Sequence, residues 1–387
     1  MHAPQSHVRD NSESGTSRTL PNSIEPRERV SFAGLRVVHA ANFQLNKDGS
    51  VFFNCDQKIH HGLIQNGCYA YPFSINDRAR MLTWTGRKKL GQGKANKALI
   101  KTCVNVQPDL LLLGHAQHVT RETLLEIRRQ LPNIRIALWY VDALWDPKNT
   151  RHIVNRRDVL DGVFATTGGE MLEELAGDGC PAAFMPNPVE ASIERFRAFE
   201  NPNPEYDLVF WGSDRHAPER AQFLQSIVDA LPNLRFGVFG CLGNPGVYGK
   251  DKEDLMPKCR MGLNLNRRND ARLYSSDRIA QLAGNGLLTV TPGGAGLEEL
   301  FSIDELVYFS DVANLVQQLD ELLKQPERVT EMARNAWKKS HEEFSSAAVT
   351  QFIIDLTMRN VRWKSASWSE HVYGLDQDAD VSPLRSQ

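Results

Sequence analysis

From Leu35 onward, short runs rich in Val, Ile and Leu alternate with longer segments of helical period. The runs are unbroken: Asp109-Leu-Leu-Leu-Leu-Gly114 carries no polar residue on either face of a strand. A strand apolar on both faces needs cover on both, which a helix-flanked parallel sheet provides and a half-solvated antiparallel sheet does not. The expected class is therefore α/β. Candidate strands are Leu35–Ala40, Cys68–Phe73, Asp109–Gly114, Ile134–Tyr140, Gly162–Thr166 and Ala182–Met185, with helices such as His118–Gln130 and Gly169–Ala176 between them.

That rhythm stops at Pro186-Asn-Pro188 and resumes only after Asn201-Pro-Asn-Pro204, a cluster that reads as linker. New strands are expected at Tyr206–Trp211, Arg235–Phe239, Met261–Leu265, Gly286–Val290 and Leu306–Phe309. Three helical stretches follow, Asp311–Lys324, Pro326–Phe344 and Ser346–Met358, with no strand expected after them. The division is thus a doubly wound domain over 31–190, a linker over 191–205, a second doubly wound domain over 206–344 and helices over 345–375, which fits the two or three domains expected of 387 residues. Residues 1–30 and 376–387 are polar and read as disordered tails.

Composition narrows the function. Lys+Arg 45 against Asp+Glu 47 leaves a net charge of −2, and 41% hydrophobic residues exclude wholesale disorder, so neither a general nucleic-acid binder nor an unfolded chain is expected. No run approaches the ~20 apolar residues of a membrane span. The N-terminus has no apolar core of a secretory signal, and the six cysteines form no C-x-x-C pair, so neither a disulfide framework nor a metal site is expected, and the expected location is cytoplasmic. Two open α/β domains in tandem set two strand-end crevices on either side of one cleft, where two substrates can meet.

The densest chemistry lies in Met261-Gly-Leu-Asn264-Leu-Asn266, Leu273-Tyr274-Ser275-Ser276-Asp-Arg278, and the segment from Ile279 through Gln281 to Gly286. It reads strand, loop, helix, Gly turn and strand. Ser275 or Ser276 is expected to cap the helix, so that its first N–H groups and Arg278 form an anion site. Downstream, Pro292-Gly293-Gly294-Ala-Gly296 leads into Leu297-Glu298-Glu-Leu-Phe301. Gly212, Ser213 and Arg215, after the strand ending at Trp211, are a second candidate phosphate contact.

Taken together, these segments resemble the C-terminal domain of GT-B glycosyltransferases, in particular the CgeB-like branch of the family-1-type bacterial enzymes. Arg278, Gln281, Gly286, Gly293, Glu298 and Phe301 stand where that family has Arg, Glu, Gly, a small-residue turn, Glu and Phe, and the likeness spans about Tyr206 to Phe344. Gln281 departs from the family's Glu, whose carboxylate accepts the two ribose hydroxyls of the donor nucleotide; an amide accepts more weakly. The resemblance implies a GT-B architecture whose C-terminal helices return to the N-terminal domain. It also implies a nucleotide-sugar donor as co-substrate, no separate cofactor or metal, and a glycan or glycolipid acceptor in bacterial envelope polysaccharide or lipopolysaccharide synthesis. Arg278, Arg215 and Lys258 would neutralise the leaving diphosphate, with Arg278 and Glu298 facing the cleft, and transfer with retention is expected by analogy. A nucleotide-sugar epimerase of the same shape and an inactive scaffold are the alternative readings.

In the N-terminal half the long loop His39–Asn54 and the helix Asp56–Gln65, carrying His60 and His61, would face the acceptor. Candidate bases are Asp142 and His115, each at the carboxyl end of a strand, and His61. Arg87–Lys101 holds six basic residues and no acidic one, a patch suited to an anionic membrane surface or a phosphorylated acceptor.

Overall fold

The computed structural model describes residues 31–215 and 218–375. The two tails expected at 1–30 and 376–387 lie outside the described residues.

Seven strands form the first sheet: β1 (Arg36–Ala41), β2 (Tyr69–Ser74), β3 (Leu110–Leu113), β4 (Arg135–Tyr140), β5 (Gly162–Ala165), β6 (Ala182–Phe184) and, from the far end of the chain, β12 (Val372–Tyr373). Five form the second: β7 (Tyr206–Trp211), β8 (Phe236–Phe239), β9 (Cys259–Leu263), β10 (Leu288–Pro292) and β11 (Val307–Phe309). The orders are β2-β1-β3-β4-β5-β6-β12 and β8-β7-β9-β10-β11. Every pairing is parallel except β12 with β6.

The registers explain the apolar runs. Leu111 sits between Val38 and Ile136, and Leu208 beside Met261, all fully buried between helical layers. Burying each such side chain contributes about 2 kcal/mol. In both sheets the chain leaves the central strand for one neighbour and crosses back to the other, so the order reverses between β1 and β3 and between β7 and β9. Those two reversals open the crevices at the carboxyl ends of the strands, and the crevices face each other.

The last long helix, Ser346–Thr357, returns to the first domain and packs on the helix Cys55–Gln65. Gly62 makes that contact possible, since a Cβ there would lie 2.1 Å from the Ser346 carbonyl oxygen. Beyond it the chain buries Trp368 against Phe344 and Phe352 and adds β12, a strand not expected from the sequence. A two-residue strand is too short to leave a periodic signature. Among the described residues no helix is long and apolar enough to cross a membrane.

Candidate active site

On the N-terminal side, β1 runs into the loop 42–54, and Asn54 caps the helix Cys55–Gln65 by accepting from the Gln57 N–H. That cap places Asp56, almost wholly buried, in the first turn. One Asp56 oxygen accepts from the Asn42 N–H at 2.8 Å, and the other lies 2.9 Å from His115 Nδ1. His115 follows directly on β3, edge-on to Trp139. With Nδ1–H donating to Asp56, the lone pair of Nε2 points away from the carboxylate, and Asp142 stands 4.0 Å from it. Burial alone would depress the basicity of His115, but the carboxylates of Asp56, Asp142 and Asp277 outweigh it and hold its pKa above 6.5. The arrangement is an oriented imidazole that can take a proton from a hydroxyl.

His61 is not part of it. The same helix turns His61 toward the linker, with Nδ1 3.4 Å from Ser192 Oγ, because neighbours on a helix diverge by about 100°. His60 and His39 stack at 5.6 Å deep in the domain, and burial lowers both pKa values, that of His60 to about 4.

On the C-terminal side, Arg278 lies at the ends of two strands. Its Nε donates to the Trp211 carbonyl at 2.9 Å, Nη1 donates to the Leu265 carbonyl and to Ser276 Oγ, and the guanidinium lies over the Phe210 ring at 4.8 Å. No carboxylate pairs with it among the described residues. Burial, with Arg220 nearby, pulls its pKa to about 10, so it stays charged at neutral pH. Arg220 Nη1 donates to the Ser213 carbonyl, and it too lacks a carboxylate partner among the described residues. Two guanidiniums held by carbonyls rather than acids, beside Gly212 and Ser213, leave N–H groups for an anion from outside.

The serines do a different task from the one expected. The helix Arg278–Gly284 is capped at Asp277 with no side-chain acceptor. Ser275 and Ser276 are tied to the fully buried Asn264, whose Nδ2 donates to Ser275 Oγ at 3.0 Å and whose Oδ1 accepts from Ser276 Oγ at 2.9 Å. Asn264 and Ser275 therefore shape the loop from inside, and Ser276 helps hold Arg278. Tyr274 is buried edge-on against Trp145 of the other domain at 4.7 Å. Gly293 and Gly294 follow β10, with the exposed Glu298 beside Gly293, and Arg215 is exposed after β7.

Lys258 is at the wrong end of the sheet. It precedes β9, at the amino ends of the strands, and lies 3.4 Å from Glu205. Its charge suits a diphosphate, but strand direction sets it at the opposite end of the sheet from Arg278.

Gln281 is committed inside the protein. Its Oε1 accepts from Lys252 and its Nε2 donates to Asp277. Burial drives the Lys252 pKa down to about 7. Across the domain boundary Asp277 also meets Lys58 at 3.3 Å and Cys55 Sγ at 3.2 Å, and Lys58 meets the linker's Glu194 at 2.7 Å. A carboxylate at 281 would stand against Asp277, which accounts for the amide. Gln281, Lys252 and Met256 line a small open pocket with Phe52 and Phe53 of the first domain.

Asp277 thus binds the two halves together one residue from Arg278, and its field reaches His115. The structure brings His115, Asp142, Asp56, Arg278, Ser213 and Gly212 to one cleft. Asp56, Arg220 and Lys58 were not singled out from the sequence, because an acid in a helix's first turn and isolated cations are commonplace there.

Residues 215–355 match a family model described as glycosyl transferase-like. No curated protein sequence matches the chain. Among solved structures, the Anabaena protein HepE in complex with UDP and glucose aligns with a TM-score of 0.50 and 12% identity, over 83% of this chain and 98% of that one. AviGT4, a glycosyltransferase involved in avilamycin A biosynthesis, aligns with a TM-score of 0.50 and 13% identity, over 88% of this chain and 99% of that one. The two facing parallel sheets are of the GT-B architecture these structures share, and the glycosyl transferase-like match lies over the second domain and the helix that follows it.

Proposed function

We propose that the protein transfers a sugar from a nucleoside diphosphate sugar to a hydroxyl of a glycan or glycolipid. One observation carries the reading: a carboxylate-oriented imidazole, His115, stands at a strand end of the first domain and an acid-free guanidinium, Arg278, at the strand ends of the second, where its neighbour Asp277 meets the helix that carries Asp56 and adds to the field at His115. In the step, His115 Nε2 takes the acceptor's hydroxyl proton, the acceptor oxygen bonds to the anomeric carbon, and the bond from that carbon to the diphosphate oxygen breaks. The diphosphate leaves with the electron pair, and Arg278 and Arg220 receive its charge. Gly212 and Ser213 let the backbone approach the phosphates, and Asp142 orients the acceptor at the edge of the cleft.

A single displacement with such a base inverts the anomeric centre, so this reading departs from the retention suggested by analogy. The guanidiniums take the place a divalent cation has elsewhere, and transfer is expected to persist in EDTA. The resemblance of the second domain supports a bacterial envelope polysaccharide or lipopolysaccharide as the acceptor class.

The test is a thermal-shift panel of UDP, GDP, ADP, CMP and CDP and their common sugar conjugates, with Arg278→Ala as control. A nucleotide at ~100 times its Kd adds about 2.7 kcal/mol of stability. A selective shift that Arg278→Ala abolishes supports the donor site. No shift with any nucleotide counts against it, and consumption of the donor without an acceptor turns the reading to an epimerase.

A further inference from the structure

Between Arg78 and Pro108 the chain has no acidic residue, while Arg78, Arg80, Arg87, Lys88, Lys89, Lys94, Lys97 and Lys101 are all cationic. The segment folds as a helical hairpin on the edge of the first domain, Ile75–Met81 and Lys88–Val106 joined by 82–87. The two helices touch closely at Gly91, where a Cβ would lie 1.8 Å from the Ala79 carbonyl oxygen, and Lys94 donates to the Leu82 carbonyl at 3.2 Å. The hairpin is therefore a built element with a defined tip.

The tip is apolar where solvent should make it polar. Trp84 is fully exposed, Met81 is 74% exposed and Leu90 65%. Behind it, Leu90, Lys94, Lys97 and Lys101 lie on one exposed face at helical spacing. Of the eight cations only Arg80 pairs with a carboxylate, Asp77, among the described residues. A fully exposed Trp with two long apolar neighbours inside a ring of unpaired cations is the side-chain chemistry of a bilayer interface, where the ring sits at headgroup depth and Lys and Arg meet lipid phosphates.

The hairpin stands at the cleft end of its domain. Its first helix starts where β2 stops, Arg80 reaches Asn46 in the loop after β1, and Lys88 is near enough to His118 to add to the fall in pKa that burial causes there. His118 is three residues past His115.

We propose that the tip Met81, Trp84 and Leu90 inserts into the headgroup layer of an anionic membrane, with Arg87, Lys88, Lys89 and Lys94 on the lipid phosphates, so that the cleft end of the first domain faces the bilayer. The inference goes beyond sugar transfer and does not depend on it, and its test needs no donor.

The full chain is sedimented with vesicles of phosphatidylcholine alone and with vesicles that also contain phosphatidylglycerol. Binding to the anionic vesicles alone is expected, falling with added salt. Lys88→Gln and Lys89→Gln should weaken partitioning about fivefold for each charge removed. Trp84→Ser should weaken it further while leaving the melting temperature unchanged, because that side chain touches nothing in the fold. The difference in emission between the parent and Trp84→Phe should shift to the blue on binding. Failure to sediment with either vesicle, or equal partitioning of Trp84→Ser and parent, overturns the proposal. So does displacement from anionic vesicles by short RNA or DNA, which would make the patch a nucleic-acid surface.

Discussion

At the scale of the residue, the two sides of the cleft are held by opposite devices. His115 has a carboxylate partner and becomes more basic; Arg278 has none and keeps its charge for a ligand. As a base, His115 must be neutral, so kcat/KM should rise with pH through an apparent pKa above 6.5. Asp56→Asn keeps an acceptor for the Asn42 N–H but removes the charge, so the acidic limb of the pH profile should move to lower pH as kcat falls. His115→Gln should cost roughly 100- to 10,000-fold in kcat with little change in donor binding. Arg278→Ala should weaken donor binding by about 1.5–3 kcal/mol, read by calorimetry, and lower kcat as well, because the same guanidinium receives the leaving charge.

At the scale of the element, close approach between helices decides the assembly. The helix Cys55–Gln65 carries Asp56 on one side, Lys58 toward the second domain, and Gly62 against the helix Ser346–Thr357. Asn66 at its end donates to the Ala347 carbonyl and to Thr350 Oγ1, each at 2.8 Å. Gly62→Ala should separate the two helices and cost about 1–3 kcal/mol in urea unfolding, despite the better intrinsic helix propensity of alanine. Because the same helix positions Asp56, the variant should also lower kcat. In the helix Arg278–Gly284 the limiting feature is length: seven residues with no side-chain cap leave its placement to Asn264, Asp277 and Gln281.

At the scale of the molecule, the buried group Lys58, Glu194 and Asp277 joins first domain, linker and second domain. Burial raises the Glu194 pKa from 4.5 to about 7 despite Lys58 beside it. A carboxyl whose folded pKa is raised contributes stability below its unfolded pKa and loses it as pH rises through the folded one. Lys58→Met leaves two carboxylates without their cation and should cost about 3–5 kcal/mol at neutral pH. The part of the deficit due to Glu194 should shrink as pH falls through about 7, where the parent's own carboxyl takes up its proton, which thermal melts on both sides of that pH will show. If the deficit is independent of pH, the group is not the joint between the domains.

Local pattern was enough for the α/β class and the positions of eleven strands, because buried parallel strands must be apolar on both faces wherever they pair; the return of the helix after Ser346 was expected only from the family resemblance. It also marked His115 and Asp142, since strand ends can be read once strands are assigned. Pairing across long sequence separations was not legible. Asp56 and His115 are 59 residues apart, and Lys58 and Asp277 219, and nothing in either segment signals the other. Lys258 looked equivalent to Arg278 in charge, but strand direction put it at the far end of the sheet. His61 and Asp56 lie on the same short helix, and only the rotation of that helix turns one to the linker and the other to the cleft. Periodicity is a property of neighbours along the chain. Which side chains share a site depends on sheet order, helix phase and domain closure, and those follow from packing of the whole molecule.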